Sequence, residues 1–164
     1  MNNISFKEFE DSDLPHVLNI YNYYVSNSTA TFQIKLLTID EMKELVVFNN
    51  PKYKAFCIFQ DDILCGYTMI SQFKKREAFD RTAEIGVYIH KDYIGNGIGH
   101  KAIKYIEKYT NTTDIKVLIA TITGDNYNSI KLFEKNGYTK SALFYQVGYK
   151  FNKLLDVVCY QKML

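Results

Sequence analysis

The segment Val87-Tyr88-Ile89-His90-Lys91-Asp92-Tyr93-Ile94-Gly95-Asn96-Gly97-Ile98-Gly99-His100-Lys101 constrains this chain more than any other. Up to Ile89 it reads as a strand. Beyond Gly97, the apolar residues Ile98, Ala102, Ile103 and Ile106 recur at helical spacing. Glycines at 95, 97 and 99 let the backbone approach a ligand closely. The first N–H groups of the helix have no partner within it, which makes this end a ready site for phosphate oxygens. A dinucleotide-type G-x-G-x-x-G would need glycine at position 100, where His100 stands, and no G-x-x-x-x-G-K-[ST] can be read through the loop. A glycine turn that only lets a helix pack on a strand is the plainer alternative for any one of these residues.

Around this segment strands and helices alternate. Ile4 to Phe9 alternates as a short strand, and Asp11-Ser12-Asp13 offers caps for a helix carrying Leu14, Val17, Leu18, Tyr21 and Val25, with Pro15 tolerable in its first turn. Ser28 to Phe32 is a loop. Thr38-Ile39-Asp40-Glu41 has the form of a capping box, so a short helix should run through Leu45 to about Phe48. Lys54–Gln60 and Ile63–Phe73 flank Asp61-Asp62 as an antiparallel hairpin, and Arg81–Ile89 is a third strand. After the glycine-loop helix come a strand at Lys116–Ile122, a helix at about Asn126–Asn136 stopped by Gly137, and strands at Tyr138–Gly148 and Leu154–Met163. The order predicts a mixed α+β domain built on a β-α-β core.

With 164 residues, 47% of them hydrophobic, the chain has material for one domain, taken as residues 1–164, and too little for two. No apolar run approaches the roughly 18 residues of a membrane span, and the N-terminus lacks the basic-then-apolar order of a signal peptide, so a soluble, cytoplasmic protein is expected. A formal charge of +2 without a basic block argues against nucleic acid as the main partner. Cys57, Cys65 and Cys159 fit neither a disulfide framework nor a metal site; buried free thiols and no metal are expected.

The loop Ile94-Gly95-Asn96-Gly97-Ile98-Gly99 and the segment Asn126-Tyr127-Asn128-Ser129-Ile130-Lys131-Leu132-Phe133-Glu134-Lys135-Asn136-Gly137-Tyr138 together resemble the GNAT superfamily of acetyl-CoA-dependent N-acyltransferases. The small residues of its (Gln/Arg)-x-x-Gly-x-(Gly/Ala) loop fall at Gly97 and Gly99; its first position departs, since Ile94 is not polar. Ser28-Thr29-Ala30-Thr31-Phe32, Thr82-Ala83-Glu84 and Val147-Gly148-Tyr149-Lys150-Phe151 with Leu155-Asp156-Val157 are similar to the phosphinothricin acetyltransferase branch. The resemblance covers nearly the whole chain. It implies a mostly antiparallel sheet of about seven strands, splayed at two parallel strands where acetyl-CoA sits and flanked by about four helices, in a homodimer. It further implies that Val87, Tyr88, Ile89, Gly95, Asn96, Gly97, Ile98, Gly99, His100, Asn126, Ser129 and Phe133 line the coenzyme, with Asn126 at the pantetheine arm. An oxyanion donor would come from a strand bulge around Tyr88 or Ile89.

Acyl transfer to an amine needs a proton acceptor, because an alkylammonium near pKa 10 is almost wholly charged at neutral pH. Glu84 stands where the branch places its general base. Alternation puts it on one strand face with Gly86 and Tyr88. A carboxylate on such a face is otherwise an ordinary solvated group. Phe133 occupies the position at which relatives carry Tyr or His, and it has no proton to give a leaving thiolate; Tyr127 and Tyr138 read as packing. Of the 20 Lys and Arg residues only Arg76 and Arg81 are arginine, both just ahead of Glu84. A guanidinium fork matches a carboxylate or phosphinate, which makes Arg76 the expected anchor of an amino-acid-like substrate, while Arg81 is expected to form a surface ion pair with Glu77 or Asp80. Phe32, Phe79 and Thr82 would wall the pocket, with Lys150 nearby. The reading is N-acetylation of a small amino acid or analogue. Two alternatives are a protein or peptide N-terminal acetyltransferase and a non-catalytic acyl-CoA-binding module.

Overall fold

The structure, a computed structural model, describes residues 3–164. Seven strands and four α-helices follow in the order β1 (Ile4–Glu8), α1 (Leu14–Asn27), α2 (Ile39–Val46), β2 (Lys54–Gln60), β3 (Ile63–Gln72), β4 (Thr82–Ile89), α3 (Ile98–Thr110), β5 (Val117–Thr123), α4 (Tyr127–Lys135), β6 (Thr139–Lys150) and β7 (Lys153–Met163). The strands form one sheet in the order β1-β2-β3-β4-β5-β7-β6. Every neighbouring pair is antiparallel except β4 and β5, which the α3 crossover makes parallel. The mixed α+β architecture and the element counts agree with the expectation.

Local chemistry explains most element ends. The capping box is present: the Glu41 amide donates to Thr38 Oγ1 at 3.3 Å, and Glu41 Oε2 accepts from the Thr38 amide at 2.8 Å. Asp13 does not cap α1 as expected. Its carboxylate accepts from the Glu10 amide at 3.0 Å and closes a 3-10 turn ahead of the helix, while Pro15 sits in the first helical turn. Gly137 ends α4 with φ +85°. The last hairpin is tighter than the pattern suggested, because Phe151 and Asn152, both at positive φ, make the whole turn between β6 and β7.

Two apolar layers hold the sheet. On one face α3 and α4 pack Ile103, Ile106 and Phe133 against Ile70, Ala83, Ile85, Leu118, Ala120 and Ile122. On the other, α1 and α2 press Val17, Ile20, Tyr21, Val25, Met42 and Val46 against Ala55, Cys57 and Tyr67. β4 therefore sends Ile85 to the α3 face and Tyr88 to the α1 face, as strand alternation requires. Cys57 and Cys65 are buried free thiols; Cys159, expected to be buried, is only partly covered. Among the described residues no helix is long and apolar enough to cross a membrane, and no cluster of His, Cys, Asp and Glu could hold a metal.

Candidate active site

The site begins where two parallel strands part. β4 and β5 pair at only three positions, Thr82↔Val117, Ala83↔Leu118 and Glu84↔Ile119, although β4 continues to Ile89 and β5 to Thr123. Each strand keeps its outer neighbour over that length, β4 with β3 and β5 with β7. The result is a V-shaped opening with Glu84 at its apex.

The backbone polarity of the opening follows from register. The His90 amide donates to the Cys65 carbonyl of β3 at 2.7 Å, so the even-numbered residues of β4 bond to β3 and the odd-numbered ones face β5. Beyond Glu84 that leaves the amides of Val87 and Ile89 turned into the opening without a strand partner. The Ile89 carbonyl is taken by the hydroxyl of Tyr24, from α1. The bulge expected around Tyr88 or Ile89 is absent: the β3–β4 register is unbroken from Gly66↔Ile89 to Gln72↔Ala83. Simple alternation exposes the donors, and the amide of Tyr88 points to β3.

The mouth of the V is the glycine loop. Gly95 and Gly97 have φ of +87° and +75°, and a Cβ at either would meet nothing within 4 Å, so backbone conformation demands glycine there. Gly99 is different. A Cβ at that position would lie 2.8 Å from Leu132 Cδ2 on α4, so this glycine allows α3 and α4 to pack closely. The first amide bonded within α3 is that of Lys101, to the Gly97 carbonyl at 3.2 Å. The amides of Ile98, Gly99 and His100 are therefore open, with the positive end of the helix dipole behind them. The Ile98 side chain is buried, so only its amide can face a ligand; Asn96 and Ile94 are exposed.

On the opposite arm, Asn126 caps α4: its Oδ1 accepts from the Ser129 amide at 3.2 Å, which leaves its side-chain NH2 group as the part that can reach a ligand. Phe133 is 3% exposed and packs edge-to-face on Tyr138, with ring centroids 5.0 Å apart. It lies within the α3-side core.

Glu84 is half-buried on the α1 face and makes no side-chain hydrogen bond or ion pair among the described residues. The Tyr88 ring leans back along the strand, with its Cε2 at 3.7 Å from where a Gly86 Cβ would stand. It stacks on Tyr67 at 5.1 Å and meets Tyr21 edge-on at 5.4 Å. Burial pushes the Tyr88 hydroxyl far above its ordinary pKa and that of Tyr24 up to about 12, so both stay protonated donors.

Of the residues expected to bind substrate, Phe32 and Lys150 come together. Lys150 is 3% exposed, and its ammonium donates to the Thr31 carbonyl at 2.9 Å. Burial pulls its pKa below the ordinary lysine value. Phe32 is exposed beside Gly148 of the same hairpin. Thr82 opens β4, and Phe79 meets Phe73 edge-on at 6.0 Å on the β3–β4 connection. Arg76, on that connection, has no acidic partner among the described residues. Arg81 does not pair with Glu77 or Asp80; its Nε donates to the Asp114 carbonyl at 3.3 Å, because β5 begins beside it. Sequence reasoning missed Tyr24, Thr31 and Asp125, whose partners lie far along the chain. The only local signals were the threonine-rich loop and the adjacency of Asp125 to Asn126.

The chain matches the family described as "Acetyltransferase (GNAT) domain" over residues 6–159. It is similar to the phosphinothricin N-acetyltransferase of Alcaligenes faecalis, with 29% identity covering 94% of this chain and 79% of that protein. It is also similar to the L-methionine sulfoximine/L-methionine sulfone acetyltransferase of Salmonella typhimurium, 25% identical across 94% of this chain and 91% of that one. A phosphinothricin acetyltransferase from Sinorhizobium meliloti, solved in complex with AcCoA, superposes with a TM-score of 0.91 at 24% identity, covering 98% of this chain and 88% of that chain. The family match takes in both arms of the V, the glycine loop and the strand that carries Glu84, and the chain belongs to the GNAT family of acetyltransferases.

Proposed function

We propose that this enzyme transfers the acetyl group of acetyl-CoA to the primary amine of a small amino acid or amino-acid analogue, with Glu84 as general base. The observation that carries the reading is the coincidence of three features in one V: open amides of α3 at its mouth, unpaired amides of β4 along its edge and Glu84 at its apex. The amides of Ile98, Gly99 and His100 take the pyrophosphate, and the pantetheine arm runs between β4 and β5 past Asn126. The thioester oxygen then meets the Val87 or Ile89 amide, where negative charge gathers as the amine attacks. A C–N bond forms and the C–S bond breaks. The amine's proton passes to Glu84, directly or through water. Phe133 offers no acid, so the sulfur leaves as a thiolate, tolerable for a group of pKa near 8.5.

Arg76, free of acidic partners, receives the substrate carboxylate, with Phe79 and Thr82 on its side of Glu84, and Phe32 borders the site from the connection between α1 and α2. The similarity to enzymes acting on phosphinothricin and methionine sulfoximine supports a substrate of this size over a peptide. A cytoplasmic homodimer completes the reading. Phe144, Tyr145, Val147 and Tyr149 of β6, Phe151 of the turn and Leu154 of β7 are all more than half exposed, an apolar strip that a second copy would cover.

The test is thiol release from acetyl-CoA against phosphinothricin, methionine sulfoximine, methionine sulfone, ordinary amino acids, polyamines and short peptides, with sedimentation of the same preparation. Turnover confined to small amino acids, lowered about 10²- to 10⁴-fold by Glu84→Gln, is expected. Arg76→Lys should raise KM for the amino acid far more than for acetyl-CoA. Turnover with peptides alone, or full activity in Glu84→Gln, would overturn the assignment, and a monomer would remove the dimer.

A further inference from the structure

The connection from α1 to α2 spans residues 28–38 and has no regular structure, yet its first part is fastened at both threonines. Thr29 Oγ1 donates to Asp125 Oδ1 at 2.6 Å, and the Thr29 carbonyl accepts from the Thr123 hydroxyl. Two residues on, Thr31 Oγ1 shares a hydrogen with the Tyr21 hydroxyl at 2.8 Å, and the Thr31 carbonyl accepts from buried Lys150. Surface loops ordinarily spend such groups on water. Here three of the four reach elements about a hundred residues away in sequence, and Phe32 is left beside Gly148.

Asp125 is the member of this set that touches both halves of the site. It stands immediately before Asn126, the cap of α4 on the coenzyme arm, while its Oδ1 holds the loop and its Oδ2 takes Lys153 Nζ at 2.6 Å. Burial pushes its carboxyl pKa up, but the bonds from Lys153 and Thr29 outweigh this and leave it below the ordinary value. It is therefore ionised across the neutral range, and the Thr29 bond is charge-assisted.

We propose that Asp125 is a positioning residue for the amine half of the reaction, fixing through Thr29 the loop wall that carries Thr31 and Phe32. The inference rests on the amine pocket proposed above. The clamp adds no group to the chemistry. It removes the freedom of a segment whose ordering would otherwise weigh against substrate binding. Lys153 is the lesser partner, since its side chain is 59% exposed and the ion pair is screened by solvent.

The experiment compares Asp125→Ala, Asp125→Asn, Thr29→Val, Thr29→Ser and the double variant Thr29→Val/Asp125→Ala. Steady-state kinetics are run on the best amine of the panel, and hydrogen exchange is followed in the segment 28–33. Asp125→Ala and Thr29→Val should each raise KM for the amine about tenfold, leaving KM for acetyl-CoA within about twofold, and the double variant should be no worse than the worse single one. Thr29→Ser keeps the hydroxyl and should behave as wild type. Asp125→Asn keeps an acceptor and should fall between; it also serves if the alanine variant folds poorly. Equal rises in both KM values, additive effects or failure of Thr29→Ser to preserve function would overturn the proposal. Exchange in 28–33 should quicken in Asp125→Ala and Thr29→Val while that in α3 holds; unchanged exchange would also overturn it. A wild-type enzyme that acetylates no small amine would refute the function proposed above, and the exchange result would still decide whether the clamp exists.

Discussion

Gly66 lies on β3 directly opposite Ile89, and its replacement by alanine tests the geometry of the V at the peptide that carries the Ile89 amide, one of the two proposed oxyanion donors. A Cβ on Gly66 would stand 2.7 Å from the Tyr88 carbonyl oxygen, 3.0 Å from Ile89 Cδ1 and 3.3 Å from Ile89 Cα, against 3.4 Å or more for an ordinary contact. Two of those three atoms are backbone, so no side-chain rotation relieves the clash. Forcing a methyl into such a place costs about 1–3 kcal/mol. At about 2–4 °C per kcal/mol for a chain of this length, Tm should fall by roughly 2–12 °C. The displaced carbonyl belongs to the same peptide unit as the Ile89 amide, so the donor moves with it. A misplacement of about 1 Å in such a group lowers kcat by up to about a hundredfold, with KM for acetyl-CoA less affected. Gly86→Ala is the matched control on the neighbouring strand. Its Cβ would meet Met69 at 3.5 Å and Tyr88 at 3.7 Å, ordinary contacts, and stability should hold or rise by up to about 1 kcal/mol as the unfolded chain loses freedom. Both variants are read by urea unfolding followed by kinetics. A Gly66→Ala protein as stable as wild type would refute the close approach of β3 to the Tyr88–Ile89 peptide. A destabilised one with unchanged kcat would refute the assignment of the donor to that peptide.

Gly97→Ala should raise KM for acetyl-CoA roughly 5- to 30-fold with little change in KM for the amine, because a left-handed alanine costs about 1–2 kcal/mol and the strain falls on the loop that presents the amides; equal effects on both substrates would count against a phosphate role. Phe133→Tyr, which supplies a hydroxyl, should lower stability by about 1–3 kcal/mol, since the ring is buried against Tyr138 and a new hydroxyl there lacks a partner. A Tm unchanged together with higher kcat would show that the hydroxyl reaches the leaving sulfur.

What the sequence by itself determined is local. The change from strand to helical period after Gly97, the capping box at Thr38 and the glycines whose φ is positive are dictated by residues within a turn of one another, and the structure repeats them. The face of β4 that carries Glu84 follows from alternation alone. The tertiary structure decided how the strands part and which amides that parting leaves open. Whether an amide of β4 faces β3 or the V depends on the register with β3, which no residue of β4 encodes; hence plain alternation, and not the expected bulge, turns the Val87 and Ile89 amides into the opening. The packing of Phe133 on Tyr138 likewise had no mark in the helical periodicity of α4. Asp125 and Thr29, 96 residues apart, carry no mark of each other, because a hydrogen bond between side chains requires the folded sheet to bring them within 2.6 Å.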